Sequence, residues 1–554
     1  MIPAAPEGQP SMVSEPSIGR TSSLMAVASL VSRITGFVRS VLLFTVLGAG
    51  VVNDSYTVSN TLPVIVYELL LGGVLSSVMV PLLVRAQGED DDGGEAYTRR
   101  LMTIGGVSLL AATGVAIVAA PLLTRLYLGG STIANADLAT AFAYLLLPQI
   151  FFYGVGALVG AVLNSRNAFG AFAWAPVANN VVVLAVLVVY FAMPGEISLD
   201  PVRMGDPKLL VLGLGTTLGI IVQAIVLVPA MRTVGFRYRP LWGWDPRLTK
   251  AGGLALWALA YVIVGLPGYM ITTQVAAAAT KGSIAIYNAA WLVLQVPYGV
   301  LGVSLLTALM PRMSRAAAEG RLDDVVSDLS LGSRLSAIFL VPISVLITVF
   351  GTATGIALFG LRGSNLDSAV LLGATVAFSA FGLLPYAITL LQLRVYYALT
   401  DSRTPTWIQL FSLIIRIPML LLCPVLLRPE DVVLGLAAAN GLSFIAGAAL
   451  GQFLLHRRLG HVRTGEVLST VGRTLLASLI GMFVVRALVQ LLSGPLGQLP
   501  PLASAWIQLI AAVVIGGPII VVVMRLLRVQ ELTPLIGRLE RLVDRGKARR
   551  GGPG

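Results

Sequence analysis

Apolar runs alternate along the chain with short polar connections, and the runs are long enough to matter. A helix rising 1.5 Å per residue crosses a hydrocarbon layer of about 30 Å in about 20 residues. By that rule the pattern predicts fourteen spans, at 23–48, 55–84, 101–128, 138–163, 170–193, 209–231, 252–277, 283–311, 332–360, 368–399, 405–427, 431–455, 471–493 and 503–527. One connection is amphipathic: residues 313–331 read either as an interfacial helix or as a solvated loop. The Pro- and Ser-rich residues 1–22 lack the apolar core of a signal peptide and read as a short disordered tail.

Composition supports the same class. The 554 residues are 56% hydrophobic and 12% charged, with mean hydropathy +0.87. Soluble domains carry about 25% charged residues, so this is an all-α polytopic membrane protein. The net charge of +12 sets orientation more than binding. Most of the 38 lysines and arginines fall in the connections on the side of the two termini, including RTVGFRYRP, HRRLGHVR and the basic tail at 528–554. The positive-inside rule then places both termini in the cytoplasm, and the basic patches face anionic lipid. No soluble basic face is left for nucleic acid.

The chain also repeats itself. At an offset of 230, Gly72, Leu75, Ser77, Pro81, Arg85 and Ala86 meet Gly302, Leu305, Thr307, Pro311, Arg315 and Ala316. At 237, Pro148, Ser165 and Arg166 meet Pro385, Ser402 and Arg403. Six helices separate each matched pair, so the repeats run parallel. The expected architecture is an N-lobe at 23–231, a C-lobe at 252–455, and two further helices at 471–527. Parallel lobes facing each other across the membrane normal are a transporter arrangement, with the substrate between them.

Two arginines sit inside the first span, in SRITGFVRSVLLF. Arg33 lies about 15 Å and Arg39 about 24 Å along that helix, pointing roughly 120° apart. A guanidinium near the bilayer centre costs about 2.5–3.5 kcal/mol. Either both snorkel to opposite surfaces, or both border an aqueous cavity that receives an anion. A planar guanidinium suits phosphate, which it grips through paired hydrogen bonds.

The second span opens NDSYTVSNTLP. Asp54 at its outer edge either caps that helix, forms a salt bridge or gates the cavity. Glu68, near Asn60, either pairs with an arginine and exchanges it for substrate, carries a proton, or locks helix packing. Asn288 and Gln295 are seven apart and share a face, which lines the cavity or bonds between helices. Lys281 belongs in a short outer loop. Arg394 snorkels, and Arg416 and Arg486 are further buried cations, Arg486 assigned to headgroup or packing contacts.

One cysteine and two histidines provide no metal site. No GxxxxGK[ST] loop occurs, so no cofactor is expected. An ion gradient, the membrane potential or the substrate gradient must drive transport.

The run SRITGFVRSVLLFTVLGAGVVNDSYTVSNTLP, then LSSVMVPLL, PYGVLGVSLLTALMPRMSR and YALTDSRTP, resembles the lipid II flippase family called MurJ or MviN. That family belongs to the MOP exporter superfamily, with the MATE drug exporters. The resemblance covers nearly the whole membrane region. It implies fourteen helices, a central cavity, and movement of undecaprenyl-pyrophosphate-linked disaccharide-pentapeptide to the outer leaflet of a bacterial plasma membrane. It implies alternating access, a groove for the lipid tail on the last two helices, and contact with cell-wall synthesis proteins.

Ser32, Arg33 and Arg39 match the family's first-helix cavity residues, and Asp54 its acidic residue opening the second helix. The chain departs from the family at Tyr67, where much-studied members carry arginine, and at Gly72, where they carry glutamate. Glu68 lies one turn earlier on the same face. The eighth-helix cavity arginine falls at about Leu292. The alternatives from the residues alone are a flippase for another polyprenyl-linked glycan, a drug exporter, a membrane enzyme acting on lipid-linked sugar, and a scaffold for wall assembly.

Overall fold

The computed structural model describes residues 18–69, 79–361, 366–401 and 403–532, apart from the side chains of 18–24, 26, 66–69, 248–259, 261 and 300–308. Among the described residues every regular element is helical. Twelve segments among these residues are long and apolar enough to cross a membrane, so this is a multi-pass membrane protein. The two other long helices expected to cross, the second and the eighth, both run into undescribed side chains and are not among the twelve.

The first bundle comprises α1 (Ile18–Leu47), α2 (Val51–Leu69), α3 (Val80–Glu89), α4 (Glu95–Val118) and α5 (Ala120–Leu128). It continues through α6 (Ala136–Leu146), α7 (Gln149–Ser165), α8 (Phe169–Ala192), α9 (Pro207–Ile225) and α10 (Leu227–Thr233). The second contains α11 (Pro246–Ala279), α12 (Ser283–Ala318), α13 (Leu322–Val349) and α14 (Gly351–Phe359). Its remaining helices are α15 (Leu366–Ser379), α16 (Leu383–Ala398), α17 (Arg403–Leu426) and α18 (Val432–Leu459). Beyond it lie α19 (Thr464–Leu491), α20 (Ser493–Gly497), α21 (Pro501–Ala511) and α22 (Gly517–Leu526).

The internal repeat is visible as matched breaks. The third crossing of each bundle is interrupted at Ala119 and at Phe350, and the fourth at Leu147–Pro148 and at 380–382, just before Pro385. Proline cannot supply the backbone donor a continuous helix needs. Helix α19 packs along α13, and α21 along α14, which fixes the last pair to the second bundle. Arg334 on α13 secures it, donating to Glu531 at 2.6 Å, with Glu466 of α19 at 3.5 Å.

Three expectations change. Helix α1 begins at Ile18, inside the segment expected to be disordered, so the first span extends further toward the N-terminus than the apolar run alone marks. Residues 313–331 are neither a separate interfacial helix nor a loop. They are the end of α12 and the start of α13, joined by a turn at 319–321, and Gly320 takes φ +72° there. An amphipathic pattern is equally what a spanning helix shows where it emerges into water. The basic tail starts later than 528, since residues 528–532 turn back and bury Glu531 against Arg334.

The two faces of the molecule differ. At the end where α1 finishes and α2 and α12 start, here the Asp54 face, one core joins both bundles. Phe44, Val58, Leu62 and Tyr127 pack there with Ile284, Val293, Phe359 and Leu420. At the opposite, basic face each bundle keeps its own core, around Leu83, Tyr97 and Phe236 in the first and Leu309, Met313 and Tyr396 in the second.

Candidate functional site

Between the bundles lies a chamber in two connected parts. The part nearer the Asp54 face has a volume of about 320 Å³, and its neighbour toward the basic face about 440 Å³. Both are lined by Arg39, Ser40, Val64, Tyr153, Leu292 and Gln295, so Arg39 stands where they join. Helix α2 supplies one wall because Asn53, Thr57, Asn60 and Thr61 recur at helical spacing on a single face. Helix α12 supplies the opposite wall through Asn288, Trp291 and Gln295.

Arg33 and Ser32 line the part toward the basic face. The Arg33 guanidinium crosses to α12 and lies so close to Gly299 that a Cβ there would collide with its Nη1. Neither Arg33 nor Arg39 has a carboxylate within ion-pair distance among the described residues. Arg39 thus faces the chamber rather than a membrane surface. The Asn180 amide on α8 holds α1 in place, donating to Ser32 O at 3.1 Å and Thr35 Oγ1 at 3.0 Å.

Asp54 does not cap its own helix. Only 4% exposed, it accepts from Gly282 N at 2.6 Å and Ala285 N at 2.9 Å, at the start of α12 in the other bundle. A helix N-terminus presents unsatisfied donors and positive potential, which a carboxylate satisfies. Gly282 makes the approach feasible: its φ is +89°, and it lies against Ala49, leaving no room for a side chain. Nearby, Thr61 meets the Tyr269 hydroxyl at 3.1 Å, which donates to Asn288 Oδ1 at 3.2 Å. Gln274 donates to Leu126 O at 2.7 Å and Ser131 to Ala277 O at 2.6 Å. The Asp54 face is therefore sealed by polar contacts between bundles as well as by the shared core.

At the basic face the connection is a clamp on the inter-bundle linker. Arg247, at the start of α11, donates to Asp90 at 2.8 and 3.0 Å and to Asp245 at 2.8 and 3.0 Å, over the Tyr97 ring at 4.6 Å. The bidentate Arg247 guanidinium holds the Asp245 carboxyl below the usual carboxylate range.

Ser32, Arg33, Arg39, Asn60, Asn288 and Gln295 all line the chamber. The side chain of Glu68 lies outside the described residues. Lys281 is exposed between α11 and α12, and Arg394 and Arg486 are exposed on their helices. Arg416 lies elsewhere, donating to Thr272 Oγ1 at 2.9 Å and the Tyr287 hydroxyl at 3.2 Å inside the second bundle. The hydropathy pattern does not mark Tyr153, Gln149, Tyr56 and Thr216, which also line the chamber. Single polar groups inside apolar helices carry no periodic signal to reveal them. No cluster of His, Cys, Asp or Glu among the described residues is placed to hold a metal ion.

Two facing bundles with a polar chamber between them make a fold that this chain shares with solved membrane transporters. An inward-facing multidrug resistance MATE family transporter of the MOP superfamily superposes with a TM-score of 0.53 at 12% identity, covering 82% of this chain and 97% of that one. A lipid II flippase MurJ in an inward closed conformation superposes better, with a TM-score of 0.72 at 18% identity, covering 91% and 99%. Sequence then decides the family. The profile of the lipid II flippase MurJ family matches residues 43–501, and the chain belongs to that family. The probable lipid II flippase MurJ of Haemophilus influenzae is 28% identical over 450 residues, 78% of this chain and 84% of that protein. The lipid II flippase MurJ of Burkholderia cenocepacia is 24% identical over 400 residues, 70% and 74%.

Proposed function

We propose that this protein flips lipid II from the cytoplasmic to the outer leaflet by alternating access between its two bundles. The observation that carries the reading is the pair Arg33 and Arg39, unpaired among the described residues, in a chamber sealed at the Asp54 face. By the positive-inside rule the basic face is cytoplasmic, so the chamber is poised to load from that side. Arg33 and Arg39 take the pyrophosphate, and the prenyl tail stays in lipid along the last helices. Once the headgroup neutralises the arginines, separation of Asp54 from the α12 N-terminus opens the chamber outward.

The headgroup enters past α1 and α12, where Arg33 lies against Gly299. Movement of an anion with two fixed cations couples the cycle to the membrane potential at about 2.3 kcal/mol per charge per 100 mV. A cationic drug would meet two like charges on the α1 wall, which disfavours a MATE-like substrate. The protein moves a bound lipid and breaks no bond in this reading.

The test is depletion followed by leaflet-resolved measurement of lipid II in intact cells. Accumulation in the inner leaflet, reversed by the wild-type chain, is the expected result. An unchanged leaflet ratio would reject a flippase, and conversion of labelled lipid II into a new product would favour an enzyme.

A further inference from the structure

The chamber has two unlike walls. The α1 wall carries the cations, while the α12 wall carries a fixed aromatic face flanked by amides. Asn288, Trp291 and Gln295 lie at i, i+3 and i+7, so one stripe of α12 presents all three to the chamber. Behind Trp291, its ring meets Tyr386 edge-on at 5.4 Å and Phe444 at 5.6 Å, and those two rings lie 4.9 Å apart. The indole is therefore held in one orientation, half-buried, with its free side toward the chamber.

Trp291 and Gln295 make no hydrogen bond among the described residues, and neither has a buried orphan atom, so their polar groups face open space. Asn288 differs, because its amide already donates to Ile284 O at 2.9 Å and accepts from Tyr269. Gln295 and the indole N–H are the free donors and acceptor on this wall.

A rigid aromatic face with a polar rim matches one ligand chemistry well. A pyranose ring has an apolar C–H face that stacks on an aromatic surface, and a rim of hydroxyl and amide groups that need donors and acceptors. A bare phosphate can take the indole N–H but gains nothing from the ring face. An organic cation would gain from the ring face, but Arg39 lines the same chamber and repels it.

We propose that Trp291 and Gln295 form a sugar subsite, which binds the carbohydrate next to the pyrophosphate while Arg33 and Arg39 hold the phosphates. A lipid-linked sugar joins an anionic group and a pyranose through one bond, and the two walls offer a matching pair of surfaces. The proposal rests on the flippase reading above and adds which part of the substrate the second bundle reads.

The discriminating experiment compares two probes, undecaprenyl pyrophosphate and lipid II, binding to the purified full-length protein in nanodiscs. Trp291→Ala should weaken lipid II about tenfold, a loss in the range of an aromatic contact plus its burial, and change undecaprenyl pyrophosphate less than about twofold. Trp291→Phe should recover most of that loss. Arg39→Ala should weaken both probes together. If Trp291→Ala disturbs folding, Gln295→Ala, on the open side of the helix, should show the same selectivity at about threefold.

Equal loss for both probes in the Trp291 and Gln295 variants, or no loss for either, would overturn the sugar subsite. An Arg39→Ala protein that binds both probes normally would instead remove the headgroup assignment and leave the sugar subsite standing.

Discussion

At the Asp54 face the two bundles share a core, and three clusters of hydrogen bonds cross between them. At the basic face their cores are separate, and the described polar link is the Arg247 clamp on the linker. The difference is one of kind. The sealed end is closed by a shared core and by polar contacts between bundles, among them a carboxylate on a helix N-terminus. The clamp ties a linker to α3 and α4 and leaves the chamber mouth between α1 and α12 alone. In the proposed cycle Asp54 therefore belongs to the gate, and Arg247 to the hinge about which the bundles turn.

The largest effect should come from Asp54→Ala. It strands two backbone donors at roughly 1–3 kcal/mol each, shifting the closed-to-open balance about tenfold or more. A Thr57→Cys probe, in a Cys423→Ala background that removes the chain's one other cysteine, should then become reactive to an impermeant thiol reagent from the Asp54 side. Unchanged labelling would mean that Asp54 merely packs.

A smaller effect is expected from Gly299→Ala. The added Cβ overlaps the end of the Arg33 side chain, which is flexible and can swing away. Headgroup affinity should fall about threefold to fivefold with little change in melting temperature, as for a displaced charge contact near water. A fall in stability without loss of affinity would show that Arg33 serves packing rather than substrate.

The smallest effect belongs to the hinge. Arg247→Ala removes ion pairs that are about 30% exposed, so it should lower stability by no more than about 1 kcal/mol. Because Asp245 is held below its usual range, the clamp's contribution is full above the unfolded value near 3.9 and is lost only as pH falls through the lower folded value. The difference in melting temperature between wild type and Arg247→Ala should stay constant from pH 5 to 9 and shrink only in stronger acid. A change centred near neutral pH would contradict this assignment.

Much of the division into bundles can be read from the chain, and the contrast between faces cannot. Hydropathy exposes the spans because lipid forces every backbone group into helical bonds, and the spacing of Pro148 and Pro385 marks the matched breaks. Arg33 and Arg39 stand out because charge in an apolar run needs a reason. Asp54 stands out too, but its partners at Gly282 and Ala285 are 228 and 231 residues away, and nothing local encodes that pairing. The same holds for Asp90 and Arg247, 157 residues apart. Residues 313–331 mislead because one amphipathic pattern describes both a surface helix and the wet end of a spanning one.

The most direct measurement is lipid II translocation in reconstituted vesicles by wild type, Arg39→Lys and Arg39→Ala, each with a melting curve to confirm folding. If an anionic headgroup sits on Arg39 at the junction of the two chamber parts, Arg39→Ala should lose nearly all activity, and Arg39→Lys should keep part of it through charge alone. Folded Arg39→Ala protein that flips lipid II at the wild-type rate would contradict a headgroup site on that arginine.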